Sequence, residues 1–112
     1  MSDDLYSKGM KIRREVLGDE YVDNALRVAD EFSHDFQRIV AEYGWGTVWE
    51  RGGLSRKQRS LNVLCLLAAL NRPHEFEIHL RGALRNGCSA EEIRETLIQV
   101  GVYAGVAAGA DA

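Results

Sequence analysis

Apolar residues recur at three- and four-residue steps along most of the chain, and no stretch alternates like a half-buried strand between hairpin turns. The pattern predicts helices throughout. The first spans about Asp3 to Leu17 and stops at Gly18. A second runs from about Asp19 to Tyr43, where Leu26, Val28, Ala29, Phe32, Phe36, Ile39 and Val40 give one apolar face. Glycines break the pattern between Gly44 and Gly53, which predicts a loop with one helical turn around Thr47 to Glu50. Ser55, with Gln58 three residues on, has the spacing of a capping box and opens a third helix. That helix is apolar almost all round from Leu61 to Leu70, so it is expected to be the central, most buried element. Asn71-Arg72-Pro73 ends it, and Pro73 suits the first turn of a fourth helix reaching about Asn86, with Gly87 as a left-handed cap. Ser89 to Glu92 is a second capping box, opening a fifth helix with a stripe of Ile93, Leu97, Val100 and Ala104. The last residues, Gly105 to Ala112, are small and apolar; they call for a covering partner subunit or for further chain.

Length and charge narrow the classes. A chain of 112 residues is expected to form one domain. Its net charge of −3 argues against a broad basic face for nucleic acid, although a local cluster of arginines can still hold a small anion. Cys65 and Cys88 lie 23 positions apart, too few and too distant for a disulfide scaffold or a C-x-x-C pair. The start, Met1 to Leu5, is acidic and lacks an apolar signal core. The longest apolar run is about half of the roughly 20 residues a membrane-spanning helix needs. A cytoplasmic protein with free thiols and no membrane contact is the expectation.

Candidate chemistry gathers on the fourth helix. Phe76, Leu80, Ala83 and Leu84 form its core stripe, and Glu75 and His79 stack one turn apart beside it, with Gly82 a turn further. A carboxylate and an imidazole at the margin of a core can serve as general acid or base near neutral pH. The same spacing also describes a simple stabilising helix pair, and spacing alone leaves both readings open. His74-Glu75-Phe76-Glu77-Ile78-His79 superficially suggests H-E-x-x-H, but its histidines are five apart and point in different directions, so no metal site is expected. Arg51, Arg56, Lys57 and Arg59 cluster where the loop meets the third helix, either as a solvated helix start or as an anion site. Trp45 and Trp49 flank that cluster as a pocket wall or as packing residues. Cys65 reads as a buried inert thiol, and Cys88 sits where a helix N-terminus can lower its pKa. His34, beside Asp35, receives no role.

Several segments occur together in one order: Gly44-Trp45-Gly46 through Trp49, Gly53-Leu54-Ser55-Arg56 with Arg59-Ser60-Leu61, and Asn71-Arg72. Glu75 through His79-Leu80-Arg81 with Ala83 and Asn86-Gly87 follows, then Ser89 through Glu92-Ile93 and Glu95 to Gly105. With Tyr6 to Gly18 they cover nearly the whole chain, which closely resembles the carboxymuconolactone decarboxylase / alkylhydroperoxidase D-like family. The resemblance implies an all-α, single-domain helical bundle of the alkylhydroperoxidase D-like type, assembled as a homo-oligomer, trimer or hexamer. It also implies cofactor-free decarboxylation of a small dicarboxylate lactone to the enol-lactone of 3-oxoadipate, in the catabolism of the aromatic acid protocatechuate. His79 is then the proton donor and Glu75 its orienting partner. Arg59, with Arg51 or Arg56, binds carboxylate or oxyanion, and Ser60 and Trp49 are further pocket residues. The redox branch of the family carries C-x-x-C ahead of the histidine. Placing that histidine on His79 puts the cysteine positions at Arg72 and Glu75, and an upstream glutamate at Ser60, so the thiol relay is missing. A peroxidase-like member and a non-catalytic helical oligomer are the alternatives.

Overall fold

The computed structural model describes residues 2–112; of the acidic start, Met1 lies outside them. Every element among the described residues is helical. They form two units, divided between Leu54 and Ser55.

In the first unit, α1 (Ser2–Leu17) and α2 (Asp19–Val28) meet at Gly18, whose φ of 91° is open to glycine and strained for other residues. The long second helix expected to Tyr43 is instead broken at Asp30. There the Asp30 side chain accepts from the Ser33 amide and the Ser33 hydroxyl reaches back, a reciprocal cap that starts α3 (Glu31–Val40). The expected glycine loop is also corrected. Ala41–Val48 continues α3 as a π-helix, in which the Trp49 amide reaches the Gly44 carbonyl at 3.0 Å, five residues back. The Thr47 hydroxyl donates to the Glu42 carbonyl at 3.0 Å, a side-chain bond that follows the same wide pitch. This wider turn lies against α1 at backbone contact: a Cβ on Gly9 would fall 1.9 Å from the Ala41 carbonyl oxygen, and one on Gly46 2.7 Å from that of Leu5. Ile12, Val16, Leu17, Val22, Ala41 and Trp45 are buried here. The apolar face of α3 is not, and Phe32 is 94% exposed, with Phe36, Ile39 and Tyr43 also open.

In the second unit, Ser55 caps α4 (Arg56–Ala69) by accepting from the Gln58 amide at 3.0 Å. The chain reverses through Asn71, held at φ 57°, into α5 (Pro73–Arg85), with Pro73 at its first position. Gly87 takes the left-handed conformation expected of it, and the Ser89–Glu92 capping box opens α6 (Ala90–Ala104). The short α7 (Val106–Asp111) lies so close to α6 that a Cβ on Gly109 would stand 2.9 Å from the Gly101 Cα. Leu64, Ala68, Phe76, Ala83, Cys88, Ile93 and Val100 make the core, with Leu80 and Leu97 packed on it. Leu84 and Ala104, expected on core stripes, are exposed, and so are Leu66 of α4 and Leu70 at its C-cap. α4 is therefore buried along one side and not all round.

Candidate functional site

The α4–α5 hairpin positions most of the residues singled out in the sequence. Two closely packed helices joined by a short turn run antiparallel, and one polar bond fixes their register: the Asn86 carboxamide donates to the Ser60 hydroxyl at 2.9 Å. Ser60 is 1% exposed, the one buried polar side chain of the described core. Counting back along both helices from that bond brings His79 about level with the Leu64–Leu67 turn of α4, which is apolar.

That setting explains the state of His79. Burial lowers its pKa below the ordinary imidazole value, and the nearby Glu75 carboxylate opposes the shift without cancelling it. Glu75 itself is exposed, one turn toward the start of α5. The pair is thus asymmetric: a carboxylate at the solvent edge and an imidazole largely withdrawn from water. The sign of the stability effect follows. His79 takes its proton at lower pH in the folded chain than in the unfolded one. As pH falls from about 6.5 through the folded value, the unfolded state gains a proton the folded state resists, and stability drops. Replacing His79 with Gln removes this loss. Thermal melts should show the variant gaining on the wild type as pH is lowered from neutrality, with no such gain above it.

The cations divide. Arg56 occupies the first position of α4 and is exposed, whereas Arg59 is half-buried with its Nε enclosed. Lys57 is committed elsewhere, its ammonium 2.7 Å from Glu92 at the start of α6. That contact raises the Lys57 pKa and lowers that of Glu92. Arg51 and Trp49 belong to the first unit. Arg51 is exposed just after the π-helix, and Trp49 stacks on the buried Trp45 with ring centroids 4.9 Å apart. The two tryptophans therefore pack on each other, which leaves the half-buried Trp49 as the one with an open edge.

The thiols do not resemble reactive ones. Burial pushes both Cys65 and Cys88 up. The Cys88 thiol donates to the Lys57 carbonyl at 3.5 Å, so the helix start that follows it does not make it a thiolate. Sequence reasoning missed the ties that clasp the α5–α6 turn and the first turn of α6 to the start of α4: Asn86–Ser60, Lys57–Glu92 and the Cys88 thiol on the Lys57 carbonyl. The sequence shows only one half of the first: Glu75, His79, Gly82 and Asn86 follow one another at four, three and four residues, and nothing in that spacing points from Asn86 to Ser60. An open apolar concavity of about 890 Å³ lies elsewhere in this unit, among Leu80, Leu84, Ile93, Leu97, Val102 and Val106. No described helix is long and apolar enough to cross a membrane.

Residues 34–112 match the carboxymuconolactone decarboxylase family. A nitrosuccinic acid decarboxylase of Metarhizium robertsii is 48% identical over 101 residues, 90% of this chain and 71% of the relative. A 4-carboxymuconolactone decarboxylase of Acinetobacter baylyi is 39% identical over 103 residues, 92% of this chain and 77% of the relative. A 4-carboxymuconolactone decarboxylase of Pseudomonas putida is 39% identical over 41 residues, 37% of this chain and 85% of that sequence.

Proposed function

The chain belongs to the carboxymuconolactone decarboxylase family and is a carboxy-lyase, and we propose that it converts 4-carboxymuconolactone to the enol-lactone of 3-oxoadipate, in protocatechuate catabolism, without a cofactor. The observation that carries this reading is the withdrawn imidazole of His79, one helical turn from a carboxylate at the solvent edge. Decarboxylation leaves an electron pair on carbon, and the conjugated lactone carbonyl accepts it as a dienolate. What the protein must then supply is a place for two negative charges, stabilisation of the developing oxyanion, and a proton at carbon.

His79 supplies the proton. In the free protein burial keeps the imidazole neutral at pH 7. A dianionic substrate beside it raises its proton affinity, so the proton is taken up as substrate binds and is available once carbon dioxide has left. Glu75 orients the ring or relays the proton. Arg59, with Arg56 at the start of the same helix, holds a carboxylate or the lactone oxyanion, and Ser60 serves them from within the core. The same reading makes the protein a cytoplasmic homo-oligomer, trimer or hexamer, which the open apolar face of α3 supports.

A second reading is favoured by the 48% identity to the nitrosuccinic acid decarboxylase. Nitrosuccinate is also a small dicarboxylate with its own electron sink. Loss of the carboxyl beside the nitro-bearing carbon leaves a nitronate, and the same proton donor and cations serve it. The two readings separate when purified protein is given each acid in turn and carbon dioxide release is followed. A higher kcat/KM for 4-carboxymuconolactone is expected, the opposite order selects the nitro acid, and turnover of neither removes both. In the same assay Arg59→Ala should raise KM about ten- to a hundredfold, the cost of losing a charge-assisted contact, with a smaller change in kcat.

A further inference from the structure

Glu75, His79 and Gly82 of α5 and Asn86 at its C-cap lie within about 60° of one another at 100° per residue, a row along one face. Three of the four are withdrawn from solvent to different degrees: Gly82 is buried, and His79 and Asn86 are half-buried. At the far end of the row from Glu75, the Asn86 carboxamide donates to Ser60 at 2.9 Å, and Ser60 is sealed in the core. A hydrogen bond to a buried partner at one end of a short helix restricts how that helix can roll about its own axis. Gly82, between Asn86 and His79, has no side chain to key into α4, so the row lacks a packing knob of its own there. The Asn86–Ser60 bond is the polar fixture on this face.

We propose that Asn86 is a positioning residue for the decarboxylation: anchored on Ser60, it sets the roll of α5 and with it the direction in which His79 and Glu75 are presented. This rests on the reading of His79 as the proton donor. Asn86 touches no reacting atom in this role. It acts through the backbone of two helical turns, and Ser60 acts with it, which gives that buried hydroxyl a function that needs no exposure to substrate. Proton delivery to carbon tolerates little misdirection, so a small rotation carries a large penalty.

Three variants test it. Asn86→Ala and Ser60→Ala each remove the bond, and Asn86→Asp lets it re-form with polarity reversed, the serine hydroxyl donating to the carboxylate. The first readout is turnover of 4-carboxymuconolactone. Each alanine variant should lose about tenfold to a hundredfold in kcat, the Ser60→Ala/Asn86→Ala double variant no more than either single, and Asn86→Asp should recover most of the loss. The second readout needs no substrate: the imidazole titration of His79 by NMR, assigned by its absence in His79→Gln. The neighbouring charged group on α5 is Glu75, and the α4 turn level with His79 holds one ionisable side chain, the Cys65 thiol, which burial keeps protonated. Loosening α5 hydrates the ring, so its titration should move up toward the ordinary value in both alanine variants and return in Asn86→Asp.

Wild-type titration and wild-type kcat in a folded Asn86→Ala protein would overturn the proposal, as would strictly additive losses in the double variant. The outcomes stay distinguishable from failure of the functional reading. If the wild type turns over neither acid while the titration still moves, the reaction assignment falls and the positioning stands. If turnover is present and the titration does not move, the positioning falls alone.

Discussion

His79→Gln should lower kcat for decarboxylation by about 10²- to 10⁴-fold, the range that a positioned acid or base supplies, while leaving the fold intact. Glutamine is similar in length and hydrogen-bonds, but it does not titrate. Because His79 is neutral when buried, an uncharged substitute removes no ion pair that the fold depends on at neutral pH. KM should change little by comparison, since the anion is held by the arginines in this account. A kcat split of this kind distinguishes proton transfer from substrate binding. Glu75→Gln should fall short of it, because a carboxylate at the solvent edge can orient and tune the imidazole but does not replace it.

The largest effect on stability is expected at Gly9. A methyl group there would stand 1.9 Å from the Ala41 carbonyl oxygen, a backbone atom that cannot swing aside. Alanine within a helix is otherwise favoured over glycine by about 1 kcal/mol. The steric term outweighs it, because α1 and the π-helix must separate to admit the methyl and lose contacts along their crossing. Gly9→Ala should cost about 3 kcal/mol or more in chemical denaturation. Gly44→Ala is the matched control, since its Cβ would meet nothing nearer than the Val40 Cγ1 at 4.0 Å. That variant should be within about 0.5 kcal/mol of the wild type. Equal stability of the two alanine variants would contradict the close crossing.

The second unit was more legible in the sequence than the first, for physical reasons. Ser55, Pro73, Gly87 and the Ser89–Glu92 box act through local hydrogen bonds and fixed dihedrals, so short stretches of sequence specify them. The break at Asp30 is also local. It was hidden because the reciprocal partner is Ser33 and not the glutamate or glutamine usually sought at that position. The π-helix was not legible at all. Gly44 and Gly46 read as loop glycines, whereas Gly46 is required by close passage of α1 at Leu5, far away in sequence. Continuous apolar patterning also overstated burial in α4, because periodicity tells which side can be buried and not what arrives to cover the other.

At the candidate site the same division holds. The Glu75–His79 pairing follows from helical spacing, and the resemblance to a decarboxylase family from motifs spread along the chain. The withdrawal of His79 from water depends on α4 lying against it. Ser60 was expected as a pocket residue on resemblance; its carboxamide partner Asn86 comes from a different helix, and no spacing rule within one helix could supply that contact.

Chemical rescue tests the central claim most directly. His79→Ala should be nearly inactive on 4-carboxymuconolactone and should regain turnover as free imidazole is added, with the rescued rate following the protonation of the added base. A folded His79→Ala protein that decarboxylates at the wild-type rate without imidazole would contradict the account.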